Sequence, residues 1–252
     1  EIEEASIKVV AGPEKKSRVV TDAEKRLTSY HEAGHAITGY FCKTHDPVHQ
    51  ISIIPRGSAG GFTMYLPEKD PSYVTKTAMN ENIVCLLGGR VAEQLVLDDI
   101  STGASNDLEK ATEIARKMVC QWGMSDLGPL SFGERDDLIF LGRELAAHKN
   151  FSEHTAELID GEVKKIVGKA YDRARDLIEA NRDKLFKIAE ALLEKEILTS
   201  DEITALLGGK PREQQVEPIS GQAAAVQQPA EQQPAQPESV SGELKLDKQP
   251  ES

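Results

Sequence analysis

The sequence predicts a mainly α protein with a small β-sheet and a disordered C-terminal tail. Three observations carry this. Several long stretches without proline repeat apolar residues at helical spacing. Two short β-type runs flank one glycine-rich turn, which suggests a small sheet beside the helices. From about residue 210 glutamine, proline, alanine, serine and glutamate dominate and aromatic residues vanish, so that segment cannot bury enough apolar area to offset its ordering entropy.

Residues 1–20 mix Ile2, Ile7, Val9 and Val10 with Gly12-Pro13 and the basic run Lys15-Lys16-Ser17-Arg18, which reads either as the end of a preceding helix and a linker or as a frayed N-terminus. Thr21-Asp22-Ala23-Glu24 reads as a capping box that opens a helix over about 23–41, with Leu27, Tyr30, Gly34, Ile37 and Phe41 on one stripe. Gly34 inside that helix costs roughly 1 kcal/mol against alanine, a cost that close approach of another backbone would explain. Residues 48–54 and 62–66 are strand candidates around Ser58-Ala59-Gly60-Gly61. Ser72 is the expected N-cap of a helix over about 73–97, interrupted by Gly88-Gly89, which again points to close packing. The capping-rich stretch Ser101-Thr102-Gly103-Ala104-Ser105-Asn106-Asp107 opens a helix expected to run to Trp122, with Ala111, Ala115, Met118 and Trp122 inward. Residues 124–150 read as loops. A long helix over about 151–181, a second around Leu185 to Leu193, and a short one capped by Thr199 and ended by Gly208-Gly209 complete the domain.

Length and composition narrow the function classes. A chain of 252 residues can bury a real core, and 39% hydrophobic with 29% charged residues suits a globular protein carrying a polar tail. A net charge of −12 argues against nucleic acid and anionic lipid as partners. Cys42, Cys85 and Cys120 have no paired spacing, so they read as reduced core residues. No apolar run approaches the ~20 residues of a membrane span. A P-loop and a Gly-x-Ser-x-Gly elbow are both missing.

The chemistry concentrates in Tyr30-His31-Glu32-Ala33-Gly34-His35-Ala36. Four-residue spacing puts His31 and His35 on one helix face, where two neutral imidazoles can bind one zinc ion and leave room for a third protein ligand and a water. Glu32 is then placed to act on that water. A third ligand is suggested by helical phase: stepping back four residues from Ala111 lands on Asp107, a carboxylate on an inward face that needs a partner or a cation. A first-turn acid favoured by the helix dipole is the competing reading of Asp107. Glu93 is either solvated or a partner for a histidine or the metal. His45 and His49 are read first as surface or packing residues. The edge strand Phe62, Thr63, Met64 and Tyr65 is the candidate site for holding a substrate backbone as an added strand.

Six motifs in order extend this reading: the H-E-A-G-H helix, Ile54-Pro55-Arg56-Gly57, Leu66-Pro67-Glu68, Leu87-Gly88-Gly89-Arg90-Val91-Ala92-Glu93, the 101–107 stretch, and Gln121-Trp122-Gly123-Met124. Together, over about residues 5–208, they resemble the protease domain of FtsH, the membrane-anchored ATP-dependent zinc metalloprotease. The resemblance implies zinc held by His31, His35 and Asp107, Glu32 as catalytic base, and Glu93 as a residue that orients a ligand. It implies a helical zinc metalloprotease domain over 21–209, with 1–20 as the end of an ATPase lid and its linker and 210–252 as the tail. It further implies polypeptide substrates, a homo-hexameric ring, an upstream AAA ATPase domain, and attachment to the cytoplasmic, stromal or matrix face of a membrane by segments outside this otherwise soluble chain. The stretch Ala59-Gly60-Gly61-Phe62 is glycine-richer than the family's usual form. A metzincin is excluded, because its longer pattern needs glycine and histidine where this chain has Thr38 and Phe41. Two other readings remain open on the same residues: an inactive ring-forming assembly module with structural histidines, and a zinc hydrolase for non-peptide substrates.

Overall fold

The computed structural model describes residues 8–9, 12–15, 19–57, 59–67, 72–132 and 151–209. The expected tail over 210–252, and the loop positions Gly133 and Arg135-Asp136-Asp137, lie outside the described residues. Six helices and one three-stranded sheet make up the rest: α1 Asp22–Phe41, β1 Val48–Ser52, β2 Phe62–Tyr65, α2 Lys76–Leu97, α3 Ser105–Cys120, α4 Glu153–Ala180, α5 Arg182–Lys195, β3 Ile197–Thr199 and α6 Ser200–Leu207. A 3₁₀ turn, Thr102–Ala104, leads into α3.

The helix α1 forms the centre. Its capping box is made as expected, with the Thr21 side chain accepting from Glu24 N and the Glu24 carboxylate accepting from Thr21 N. Every residue from Ser29 to Gly39 is buried, so this helix has no solvent face along its middle. It packs against α2, α5 and the sheet, while α4 covers α2 and α3. The core draws Ile37 from α1, Leu87 from α2, Met118 from α3, Ile159 and Ile178 from α4, Leu192 from α5 and Ile203 from α6. Among the described residues no helix is long and apolar enough to cross a membrane.

Both glycine interruptions serve close packing. A Cβ on Gly34 would lie 2.4 Å from Gly88 O, and one on Gly88 would lie 2.7 Å from Gly34 O, so the two backbones cross where neither helix carries a side chain. The Thr38 hydroxyl fits beside the same crossing and donates back to Gly34 O at 2.9 Å.

The sheet runs β2-β1-β3 and is antiparallel throughout. In it β1 is central, and β2 is an edge paired to β1 with Ile51 opposite Thr63 and Ser52 opposite Phe62. The third strand is an addition to the sequence reading. It is three residues long, too short for alternation to register, and it follows Glu196 in the left-handed conformation at φ 63°. Two helix boundaries also differ. Thr75, not Ser72, caps α2, its side chain accepting from Ala78 N at 3.2 Å, and Tyr73 is 91% exposed outside the helix. Trp122 lies beyond the end of α3 and is 42% exposed, because Gly123 turns the chain in the left-handed conformation and Met124 N donates back to Met118 O.

Upstream of α1, residues 12–15 lie across the turn that precedes β2. Glu14 and Arg56 form an antiparallel bridge, Lys15 N donates to Pro55 O at 3.0 Å, and Gly57 N donates to Pro13 O at 3.3 Å. The nearly buried Arg56 guanidinium pairs with the Glu14 carboxylate, donates to Gly12 O, and stacks over the Phe62 ring.

The glycine crossing yields a paired prediction. Gly34→Ala should destabilise the fold by about 1–3 kcal/mol through overpacking against a backbone carbonyl. Gly161→Ala, in α4 where an added Cβ meets nothing within 4 Å, should stabilise it by about 0.5–1 kcal/mol. Urea denaturation of the two variants reads the opposite signs.

Candidate metal centre

His31 and His35 lie in the buried middle of α1, and Asp107 lies in the first turn of α3. The structure brings the three together: His31 Nε2 and His35 Nε2 are 3.1 Å apart, and each is 3.5 Å from Asp107 Oδ2. Among the described residues these three make the one group of metal-capable ligand atoms in mutual reach, and neither His45 nor His49 joins it. The His45 ring instead packs edge-on against Tyr65, its Nδ1 3.0 Å from Asp46 O.

The outward-facing ring nitrogens fix the chemistry of the inner ones. His35 Nδ1 lies 2.8 Å from Cys85 O, an acceptor only, so Nδ1 carries the hydrogen. His31 Nδ1 lies 2.6 Å from Glu93 Oε1 and donates to it. In the neutral rings both Nε2 atoms are therefore bare lone pairs, and they meet each other and a carboxylate oxygen. Three acceptors facing one point repel unless a cation or a proton sits among them. Tetrahedral zinc with ligand distances near 2.0–2.2 Å separates its donors by about 3.4 Å, close to the triangle found here. The donor set, two imidazoles and one carboxylate, fits zinc with a fourth position left over.

The electrostatics agree with a site made for positive charge. Burial opposes a charged His31, but hydrogen bonding to Asp107 and Glu93 outweighs it and pushes the pKa up to about 10. Burial acts to raise Asp107, yet hydrogen bonds with His31 and His35 hold its carboxyl well below the usual carboxylate range. Glu93 is fully buried and also held ionised: burial would raise its pKa, and His31 and the Ser101 backbone more than reverse that. Its Oε2 accepts from Ser101 N at 2.8 Å and Oε1 from Ser101 Oγ at 3.1 Å. Those bonds orient the carboxylate that orients His31, and they exclude a solvated Glu93.

Glu32 is buried beside the histidines, and burial pushes its pKa up. Its Oε2 accepts from Thr63 Oγ1 at 2.7 Å. On β2, Tyr65 points the same way as Thr63 and donates to His35 O at 3.0 Å, so both hydroxyls are committed to α1. Phe62 and Met64 alternate with them.

Some of these contacts had no legible signal in the sequence. The Cys85 contribution is a main-chain carbonyl, which any residue could supply. Gly89 has a clearer trace. A Cβ there would fall 2.5–2.7 Å from three atoms of the His31 ring, so the second glycine of the Gly88-Gly89 pair makes room for that ring rather than for a helix. The pair was visible as an anomaly, and its division of labour was not.

Comparison with known proteins places this arrangement. Residues 18–206 match the model of "Peptidase family M41". The chain is 55% identical over 208 residues to "ATP-dependent zinc metalloprotease FtsH" of Caldicellulosiruptor bescii, covering 82% of this chain and 34% of that protein. The identically named protein of Thermotoga maritima is 48% identical over 209 residues, with 82% and 34% covered. That of Magnetococcus marinus is 46% identical over 220 residues, with 87% and 33% covered. The chain thus spans about a third of the length of the curated relatives it matches. With a family match that runs through all of His31, Glu32, His35, Glu93 and Asp107, this chain belongs to peptidase family M41.

Proposed function

We propose that residues 21–209 are the zinc-dependent endopeptidase domain of a longer ATP-dependent protease, and that residues 1–20 lead into it from an AAA ATPase domain. His31, His35 and Asp107 would hold the zinc. The observation that carries this reading is the convergence of these three acceptors at 3.1–3.5 Å with both Nδ1 atoms already used. A ring-forming assembly module has no use for that convergence, which costs repulsion unless a cation binds.

Zinc held there would supply Lewis acidity, which lowers the pKa of water from about 15.7 towards about 7. The rest of the work falls to side chains of this chain. Glu32 takes a proton from the attacking water and returns it to the amine nitrogen of the departing fragment. Its burial acts to raise the carboxyl pKa, the direction that makes a carboxylate a better proton acceptor. Glu93 keeps the His31 ring in the tautomer that presents a bare Nε2. The outer edge of β2 offers main-chain groups to an extended polypeptide, independent of its side chains, which fits unfolded or damaged proteins as substrates. The full-length protein is proposed to be a homo-hexamer attached to the cytoplasmic, stromal or matrix face of a membrane.

Purified chain should contain about one zinc per molecule and cleave casein, with cleavage lost to a chelator and restored by added zinc; folded protein with neither zinc nor cleavage would favour the assembly module. Glu32→Gln should keep zinc and lose casein cleavage by about 10²-fold or more. Asp107→Asn should lower zinc content measured by mass spectrometry, and full occupancy in that variant would remove Asp107 from the ligand set.

A further inference from the structure

The strand β2 does more than border the site. Its one residue that reaches the Glu32 carboxylate is Thr63, whose Oγ1 lies 2.7 Å from Glu32 Oε2 and 3.3 Å from Glu32 O. A hydroxyl has one proton to give. The shorter contact is to an ionisable oxygen, and it has the length and geometry of a charge-assisted bond. Among the described residues Glu32 Oε1 has no comparable donor. It lies 2.9 Å from where a Cβ on Gly61 would be, so the absence of a side chain two residues before Thr63 leaves that oxygen its space. The two carboxylate oxygens are thus distinguished: Oε2 is tied to the strand, and Oε1 keeps its lone pairs.

We propose that Thr63 is a positioning residue for the base Glu32, fixing Oε2 by a hydrogen bond so that Oε1 is the oxygen that takes and returns the proton. This rests on the reading of Glu32 as base. When Oε1 gains the proton, Oε2 becomes the carbonyl oxygen of a carboxylic acid and still accepts from Thr63, so the bond persists through proton uptake and release. The carboxylate cannot turn over to present Oε2 without breaking it. Because Thr63 belongs to the edge strand, a polypeptide pairing with the main chain of β2 is held by the same element that orients the base.

The test compares Thr63→Val and Thr63→Ser in the zinc-loaded chain with a quenched fluorescent peptide. Valine keeps the β-branched shape and removes the hydroxyl; serine keeps the hydroxyl. The expected result is a kcat reduced about 10- to 100-fold in Thr63→Val, the equivalent of one hydrogen bond to a charged group, with KM, zinc content and Tm near wild type. Thr63→Ser should stay within about threefold of wild-type kcat. In the Glu32→Gln background, Thr63→Val should cause no further loss, since the two act as a unit. Wild-type kcat in Thr63→Val would overturn the proposal, and so would a change confined to KM, which would make Thr63 a substrate contact only. Full cleavage by Glu32→Gln would instead overturn the base assignment itself, whatever Thr63→Val does.

Discussion

Two imidazoles with their Nδ1 hydrogens already spoken for, and a carboxylate oxygen 3.5 Å from each, aim three lone pairs at one point. That convergence is the constraint from which the rest of the domain follows. Rigid elements impose it. The two histidines are one turn apart in a helix buried all round, and the aspartate is fixed at the start of another. Each partner is also secured from behind, His31 by Glu93 and His35 by the Cys85 carbonyl. Glu93 is secured in turn by Ser101, which stands just ahead of the 3₁₀ turn leading to Asp107. A loop of mutual support therefore joins α1, α2 and the entry to α3.

Helix packing is subordinate to that demand. The Gly34–Gly88 crossing brings α1 and α2 closer than any pair of side chains would allow, and the next residue, Gly89, leaves the volume that the His31 ring fills. Glycine inside a helix is expensive, and α2 carries two in succession. The expense is tolerated because the approach of α2 delivers both the carbonyl that holds His35 and the carboxylate that holds His31. Stability is traded here for geometry at a functional site.

Much of this was legible in the sequence, for identifiable reasons. Spacing exposed His31 and His35, since side chains four apart share a helix face. Phase exposed Asp107, since a carboxylate four residues before Ala111 falls on the buried stripe. The glycines announced close contact as violations of helix propensity. What stayed hidden depended on main-chain atoms or on partners distant in sequence. The Cys85 carbonyl has no residue signature. The bond from Thr63 to Glu32 spans thirty-one positions and depends on the register of β1 against β2. The third strand is too short to show a period, and the helical phase that points Trp122 inward is cut off by Gly123.

The strap over Pro55–Gly57 links the site to chain that precedes α1. Residues 12–15 are hooked to that turn by two main-chain hydrogen bonds and by the Arg56–Glu14 pair, and the same turn runs on through Gly61 into β2. Chain that approaches α1 from the N-terminal side is therefore fastened to the turn that leads into the strand beside Glu32 before it reaches the first turn of α1. The N-terminal strap and the strand that contacts Glu32 thus share one anchor, with Arg56 between Glu14 and the Phe62 ring.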